Sequence, residues 1–246
     1  MGLGETGLSG NAYVGLMEYE DMAFLLHALR SDDVFVDVGA NIGAYTILAS
    51  KVVKSRAIAF EPLPETVDKL VDQIKLNRID SIVKVRGVGV GESRGALFFT
   101  NGSDTTNKVS AAGCSESTTE IEVISLDDEL ENDLNYFVKI DVEGFECNVL
   151  RGAKRVLSGS NVVAVIVEMN GSGSEFGFSD NEVHDALVGF GFVPIDYDPV
   201  ARLVTCLDSY NRRRGNTIYV KDVEDVARRC SSAPKRTIHT AGGVRI

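Results

Sequence analysis

The chain has 246 residues, 44% of them hydrophobic, and a formal net charge of −11 at pH 7. This length and apolar fraction predict one large domain with a substantial core. The acidic charge argues against nucleic acid as the main partner. The longest apolar runs are far shorter than the roughly 20 residues of a membrane span, so no transmembrane helix is expected. The first residues do not resemble a signal peptide.

Helix and strand patterns alternate along the chain. The apolar spacing predicts strands over 33–38, 56–60, 82–90, 135–142 and 161–169, with three more over 191–197, 202–207 and 216–222. It predicts helices over 19–30, 42–53, 65–76, 145–157 and 179–189. Residues from about 94 to 125 have the composition of a β-hairpin or loop. The alternation predicts an α/β fold with a mostly parallel sheet, which binds ligands beyond the carboxyl ends of its strands.

Two short patterns predict helix starts. Ser179 with Glu182 forms a capping box. Ser125 with Asp128 is expected to cap a short helix.

The four cysteines, Cys114, Cys147, Cys206 and Cys230, show no paired spacing. This favours free thiols in a reducing cytoplasm over disulfides or zinc.

Basic residues are concentrated near the C-terminus of this acidic chain. Residues 226–246 contain Arg228, Arg229, Lys235, Arg236 and Arg245 but no acid, and three arginines stand together at 212–214. One interpretation is a solvated tail and loop. The other is an anion-binding edge for a phosphorylated or acidic substrate.

The first predicted strand ends in a glycine turn, "VDVGANIG" at 36–43. Its glycines allow a tight turn and a close approach to a ligand. A dinucleotide fingerprint would read G-x-G-x-x-G, whereas Asn41 replaces its middle glycine. Asp37 would repel a pyrophosphate but attract a ligand with an ammonium group.

An acid also follows the second predicted strand. Glu61 comes 22 residues after Gly39 (61 − 39) and is placed to accept hydrogen bonds from ribose hydroxyls. Ribose recognition without a pyrophosphate cradle, beside carboxylates for an amine, points to S-adenosylmethionine.

The stretch "VKIDVEGFE" at 138–146 puts three carboxylates at the end of a buried strand. Strand alternation places Lys139 on the same face as Asp141, roughly 6–7 Å away. We expect Lys139 to pair with an acid on a neighbouring strand, with Asp37 as the first candidate.

Several motifs together resemble the FkbM family of S-adenosylmethionine-dependent methyltransferases. They are "FVDVGANIGAYT" (35–46), "AFEPLPE" (59–65), "SLDDEL" (125–130), "VKIDVEGFECNVLRGA" (138–153) and "NTIYV" (216–220). The resemblance covers roughly residues 15–221.

The resemblance implies the class I methyltransferase fold, a Rossmann-like sheet of seven mostly parallel strands with helices on both faces and an antiparallel last strand. It implies methylation of a hydroxyl on a sugar or secondary metabolite, as in natural product biosynthesis. We expect one domain over residues 1–221, in which 1–30 form a helical cap, and a basic tail over 222–246. A homodimer is also considered.

The resemblance also implies cofactor contacts at matching positions. The methionine end would lie against Asp37, Gly39, Ala40, Asn41 and Gly43, with Asp141 near the amino group or the methyl. The ribose would contact Glu61 and Pro62, and the adenine would contact Gly87 and Val88.

Glu143 is the first candidate for the general base that a hydroxyl nucleophile requires. Its alternative role is to accept backbone N–H groups of the following helix. Glu146 is expected to support that helix N-terminus. Asp141 and Lys139 complete the catalytic candidates, although Lys139 also suits a purely structural ion pair.

Other chemistries stay open. Asp141, Glu168 and Asn170 follow strands of the same sheet and could hold Mg²⁺, although our first interpretation has no metal. His184 is a weaker candidate base. An NAD-dependent oxidoreductase is disfavoured by Asn41 in place of the middle glycine, and the last alternative is a non-catalytic binding or scaffold protein with the same fold. The acceptor pocket is expected from 101–119, 170–180 and 208–215.

Overall fold

A computed structural model describes residues 16–100, 109–110, 118–238 and 244–245. In chain order the strands are β1 (Val34–Val38), β2 (Arg56–Phe60), β3 (Val83–Arg86), β4 (Gly89–Val90), β5 (Gly95–Thr100), β6 (Val109–Ser110), β7 (Thr118–Ile124), β8 (Tyr136–Ile140), β9 (Val162–Glu168), β10 (Val193–Asp198), β11 (Leu203–Cys206), β12 (Asn216–Val220), β13 (Thr237–Ile238) and β14 (Val244–Arg245).

The helices alternate with these strands. They are α1 (Tyr19–Ala28), α2 (Ala44–Ile47), α3 (Pro64–Asn77), α4 (Leu126–Glu129), α5 (Glu146–Arg151), α6 (Lys154–Ser158), α7 (Asp180–Gly189) and α8 (Val223–Ser232). A π-helical segment (Leu48–Val53) continues α2, and a 3-10 helix (Ser172–Phe176) follows β9.

Eight strands form the central sheet, in the order β11-β10-β12-β9-β8-β1-β2-β3. The pairings from β9 to β3 are parallel, whereas β12 is antiparallel to both β9 and β10. The predicted class I sheet with an antiparallel last strand is confirmed. The strand β11 adds an eighth member, because it forms an antiparallel hairpin with β10 at the edge.

Helices cover both faces of this sheet. One face packs Phe35 and Phe137 against α1, α2, α3 and α8. The other packs Val36 and Val138 against α4, α5, α6 and α7. Every residue of β1 and β8 is buried, as expected for central strands of a sheet covered on both sides.

A second, four-stranded sheet is formed in the order β4-β7-β5-β6. The antiparallel pairing of β5 with β7 confirms the expected hairpin. The parts of the predicted acceptor segment at 101–108 and 111–117 lie outside the described residues.

Two predicted helices differ from the structure. The helix expected over 42–53 changes from α-helical to π-helical winding at Leu48. The helix expected over 145–157 is two helices separated at Gly152. A Cβ on Gly152 would lie 2.0 Å from the carbonyl oxygen of Gly91. Position 152 therefore requires glycine, because its backbone lies directly against the backbone of Gly91.

Both capping predictions are confirmed. Ser179 N–H donates to Glu182 Oε2 at 2.9 Å, and Asp128 N–H donates to Ser125 Oγ at 3.1 Å. These contacts satisfy polar groups that the first turn of a helix leaves without intrahelical partners.

The start of the predicted basic tail packs on the domain. Val226 and Cys230 of α8 are buried in the core, and Arg229 pairs with Asp33 (2.6 Å) and Asp225 (2.8 Å). The solvated-tail interpretation of residues 226–246 is therefore wrong for residues 226–232, whereas the domain boundary at residue 221 stays a prediction.

Within the described ranges, no helix is long and apolar enough to cross a bilayer. Cys147, Cys206 and Cys230 are free thiols, as expected. Cys114 lies outside the described residues.

The close contact at Gly152 makes a stability prediction. We expect Gly152→Ala to lower the free energy of unfolding by about 1–3 kcal/mol, because the added methyl has to displace backbone. Gly189→Ala is the matched control, since nothing lies within 4 Å of a Cβ at that helical position. It should be neutral or stabilising by up to about 1 kcal/mol. Urea unfolding measures both, and equal effects would contradict the prediction.

Candidate active site

Backbone hydrogen bonds hold the carboxyl ends of three strands together. Gly39 N–H and Ala40 N–H both donate to the carbonyl oxygen of Phe60 at the end of β2, at 3.0 and 2.9 Å. Asp141 N–H donates to the carbonyl oxygen of Val38 at 3.0 Å. The glycine turn after β1 is therefore fixed between the ends of β2 and β8.

Two glycines of this turn have a steric reason to be glycine. Gly39 has φ +81°, and a Cβ there would lie 1.7 Å from the carbonyl oxygen of Asp141. Gly43 has φ +89°, and its Cβ would lie 2.6 Å from Leu70 Cδ1. Asn41, with φ 49°, is a residue type that tolerates this left-handed region.

Asp37 is buried beneath the turn and serves as an acceptor for α2. Thr46 donates to Asp37 Oδ2 through its hydroxyl (2.6 Å) and its backbone N–H (3.1 Å). Burial raises the pKa of the Asp37 carboxyl, and Lys139 and Thr46 oppose that rise. Asp37 thus lies next to the predicted cofactor turn without pointing an unpaired charge into it.

The expected pairing of Lys139 with Asp37 is wrong. Although the two residues are in register on β1 and β8, Lys139 Nζ pairs with Asp141 Oδ2 at 2.5 Å. The lysine chain is long enough to follow its own strand to the sheet edge, while Thr46 satisfies Asp37. Burial lowers the pKa of Lys139, but the carboxylates around it raise it by more, so the ammonium stays charged.

A cavity of about 210 Å³ lies beside this ion pair. Its walls include Met17, Glu18, Gly39, Asn41, Tyr45, Lys139 and Asp141. Lys139 Nζ is 4.7 Å from the ring centroid of Tyr45. A small ligand would therefore meet one ammonium, the carboxylates of Glu18, Asp37 and Asp141, and the backbone of the glycine turn.

Glu18 is a site residue that sequence analysis missed. Glu18 Oε2 accepts hydrogen bonds from the Tyr45 hydroxyl and from Asn216 Nδ2, the latter at 3.0 Å. Asn216 also donates to Asp21 Oδ2 at 3.2 Å. The residues that converge here come from α1, α2 and β12, so no local motif announces them.

Glu61 is buried at the end of β2 and is held by backbone. Its Oε2 accepts from Asn41 N–H (3.0 Å) and its Oε1 from Leu63 N–H (3.1 Å), across Pro62. Burial raises the pKa of Glu61 to about 7, and the two N–H groups oppose that rise. Its own N–H donates to the carbonyl oxygen of Arg86 at 3.1 Å.

The hydrogen bond from Glu61 N–H to the carbonyl oxygen of Arg86 brings the end of β3 beside Glu61. Gly87 is exposed and Val88 is largely buried at the point where the chain leaves β3. Both predicted adenine positions thus neighbour the predicted ribose position.

Three carboxylates converge beyond β8 and β9. Ligand oxygens of Asp141, Glu143 and Glu168 all lie within 4.8 Å of one another. Glu143 has φ 53° and precedes Gly144 with φ 101°. A left-handed glutamate is strained, and such strain is common where a side chain is held for function.

Glu146 has a different role from these three. It is the first residue of α5, and its Oε1 accepts from Val142 N–H and Gly144 N–H at 3.1 Å each. The expected support of the helix start is confirmed for Glu146. It also takes the backbone-accepting role that was the alternative for Glu143.

Glu168 is the acid of this group that ends β9. Burial raises its pKa to about 9, and the negative charges of Asp141 and Glu143 add to the rise. Its Oε2 is buried and has no hydrogen-bond partner in the described part of the chain. Asn170, the other predicted magnesium ligand, accepts from Ser172 N–H at 2.9 Å.

The described histidines pack rather than face this acidic group. His184 Nδ1 lies 2.9 Å from Tyr219 Oη, and His27 Nδ1 lies 2.6 Å from Tyr197 Oη. His239 lies outside the described residues.

Comparison with known proteins identifies the family. The model of the methyltransferase FkbM domain matches residues 37–194, more than half of the chain. The chain belongs to the FkbM methyltransferase family.

Two curated proteins are similar in sequence to this chain. Hexuronic acid methyltransferase AglP of Haloferax volcanii is 34% identical over 157 residues, which cover 60% of this chain and 61% of AglP. Methyltransferase sdnD of Sordaria araneosa is 34% identical over 83 residues, which cover 33% of this chain and 32% of sdnD. The chain thus matches less than two thirds of the length of these relatives.

A solved structure supports the fold. The crystal structure of methyltransferase FkbM from Methylobacillus flagellatus superposes with a TM-score of 0.53 at 18% sequence identity. The match covers 78% of this chain and 44% of that chain.

The state of Glu168 predicts a pH dependence of stability. Its pKa rises from 4.5 to about 9 on folding, so its contribution is fully present below pH 4.5 and is lost as pH rises towards 9. Glu168→Gln has no such loss. We therefore expect the thermal midpoint of Glu168→Gln, relative to that of the wild type, to rise between pH 5 and 9 and to stay constant above pH 9. Glu65→Gln, at an exposed acid, is the control. A pH-independent difference would contradict the prediction.

Proposed function

We propose that this FkbM-family chain transfers a methyl group from S-adenosylmethionine to a hydroxyl of a sugar or secondary metabolite. The observation that carries the proposal is the clustering, at one sheet edge, of the glycine turn, Glu61 and the Asp141–Lys139 pair. These are the positions that the family resemblance assigns to the cofactor and the reacting centre.

The residues present fit the methionine end of the cofactor. The cavity beside Gly39 offers Glu18 and Asp141 for an ammonium group, and it offers Lys139 for a carboxylate. Because the cofactor is a cation at sulfur as well, the excess of acids over bases favours it over a dinucleotide.

The Glu61 carboxylate has enough free acceptor capacity to bind the ribose hydroxyls. Each carboxylate oxygen of Glu61 accepts one backbone N–H. Each retains capacity for a further hydrogen bond, so two ribose hydroxyls have acceptors. The backbone at Gly87 and Val88 would then flank the adenine.

S-adenosylmethionine supplies an electrophilic methyl group, and the chain has to position the acceptor and remove its proton. Glu143 lies beside Asp141 at the strand end and is our general base. In the transfer, the Glu143 carboxylate would take the proton that the acceptor hydroxyl loses, and S-adenosylhomocysteine would be the other product. Asp141 and Lys139 orient the site without taking this proton.

Metal-assisted transfer is a second candidate, favoured by the convergence of Asp141, Glu143 and Glu168. A bound Mg²⁺ would acidify the hydroxyl. Lys139 argues for the metal-free mechanism, because its ammonium already neutralises Asp141 at 2.5 Å.

The name of AglP supports a sugar as acceptor for this chain too, by analogy with a relative. A cytoplasmic location agrees with the three free thiols, and we include it in the proposal. Exclusion of nucleic acid and formation of a homodimer stay predictions from the sequence.

Cofactor recognition is tested by titration with S-adenosylhomocysteine. We expect Glu61→Gln to weaken binding by about ten-fold to a hundred-fold, because two charge-assisted hydrogen bonds lose strength. The control Glu65→Gln alters an exposed acid four residues away and should bind normally. Isothermal titration measures both. Binding of a nicotinamide cofactor, or of neither ligand, would refute a methyltransferase.

Kinetic measurements distinguish the general-base mechanism from the metal-assisted mechanism. We expect Glu143→Gln to lower kcat by about a hundred-fold or more with unchanged affinity for S-adenosylhomocysteine. Glu92→Gln, at an exposed acid, should be silent. Methyl transfer by the wild type should survive treatment with EDTA. Loss of activity in EDTA with recovery on adding Mg²⁺ would instead establish the metal-assisted mechanism.

A further inference from the structure

A second cavity, of about 460 Å³, opens beyond the end of β9. Its walls include Met169, Asn170, Gly171, Asp180, Tyr210, Arg212, Arg213 and Arg214. Met169 and Asn170 directly follow Glu168 at the end of β9, so the cavity lies at the same end of the sheet as the candidate active site. Its position at the carboxyl end of the sheet suits an acceptor better than the cofactor.

The three arginines of this cavity are not equivalent. Arg214 pairs with Asp196 at 2.8 Å and lies 3.8 Å from Glu20, which anchors it to the domain. Arg212 lies with its Cζ 5.0 Å from the ring centroid of Tyr210. In the described part of the chain, no carboxylate lies within salt-bridge distance of Arg212 or Arg213.

Asp180 is the acid that lines the same cavity. Its Oδ1 accepts from Gly171 N–H at 3.3 Å, and it begins α7, where a negative charge is favourable. Asp180 therefore has a local role, and Arg212 and Arg213 leave the cavity with an excess of positive charge.

Hydrogen bonds from backbone N–H groups hold the turn that carries the three arginines, residues 211–215, which we call the arginine turn. Met169 N–H donates to the carbonyl oxygen of Gly215 at 2.6 Å, and Asn211 N–H donates to Thr217 Oγ1 at 3.0 Å. Arg213 N–H donates to Asn211 Oδ1 at 3.0 Å. The turn thus presents its guanidinium groups from a fixed base, which reduces the entropy lost on binding.

Electrostatics give the two cavities opposite preferences. The acidic group of Asp141, Glu143 and Glu168 repels an anion, whereas guanidinium groups bind carboxylate and phosphate oxygens in a matching planar geometry. An acceptor with an oxyanion would bind with that end at the arginines. Its other end would then be directed towards the methyl-transfer site.

We propose that Arg212 and Arg213 form an anion subsite that selects acceptors carrying a carboxylate or a phosphate. This inference rests on the proposed function and names its substrate class as acidic sugars. Arg212 and Arg213 act as specificity residues, not as catalytic ones.

The test measures binding to the full chain saturated with S-adenosylhomocysteine. The probes are methyl β-D-glucuronide, glucose 6-phosphate and the neutral methyl β-D-glucoside. We expect at least one anionic sugar to bind about ten-fold or more tightly than the neutral one, with an affinity that falls as salt rises. Which anionic sugar binds more tightly distinguishes a carboxylate subsite from a phosphate subsite.

The double variant Arg212→Gln/Arg213→Gln should lose this preference while it keeps wild-type affinity for S-adenosylhomocysteine and its thermal midpoint. Arg56→Gln is the control for removal of an exposed arginine, because Arg56 lies at the opposite end of the sheet. Equal binding of anionic and neutral sugars, no binding of either anion, or a preference retained by the double variant would overturn the subsite. Failure to bind S-adenosylhomocysteine would refute the proposed function instead.

Discussion

The arrangement of the site depends on the backbone contact between Gly39 and Asp141. A methyl group at Gly39 would lie 1.7 Å from the Asp141 carbonyl oxygen, so the turn after β1 lies directly against the end of β8. This approach, together with the two N–H groups donated to Phe60, brings three strand ends to one place. The cavity beside Lys139, the Lys139–Asp141 ion pair and the acidic group of Asp141, Glu143 and Glu168 all lie around this junction. Any side chain at Gly39 would separate them.

Charge balance follows from that junction. Asp141 has a buried counterion in Lys139, and Asp37 has two hydrogen bonds from Thr46. Glu61 and Glu168 have no cationic partner at salt-bridge distance within the described residues, and burial raises the pKa of both. Without a ligand Glu168 favours the protonated form, whereas Glu61 is near the middle of its titration at pH 7, because burial disfavours the charged carboxylate. A cation that enters the site would shift them towards ionisation, so cation binding and proton release are linked in this geometry.

Features encoded by adjacent residues could be predicted from the sequence, and features made by distant residues could not. The buried strand around Val138, the glycine turn and the Ser179 cap depend on local periodicity and turn chemistry. The ion-pair partner of Lys139, in contrast, depends on tertiary contacts: Thr46 already donates two hydrogen bonds to Asp37, and Lys139 pairs with Asp141. The break at Gly152 depends on a contact with Gly91, about sixty residues earlier. Glu18 enters the site only because α1 packs beside α2 and β12, which no local pattern expresses.

The family match divides the proposed site residues into two groups. It covers residues 37–194, which hold the glycine turn, Glu61 and the acidic group. Glu18 precedes this region, and Arg212 and Arg213 follow it. The chemistry common to the family is therefore built within the matched core, whereas residues outside the core contribute walls to both cavities. Since these flanking residues reach the site only by tertiary packing, they can change without disturbing the junction of strand ends. The proposed anion subsite of Arg212 and Arg213 therefore lies outside the matched core, whereas the proposed methyl-transfer residues lie inside it.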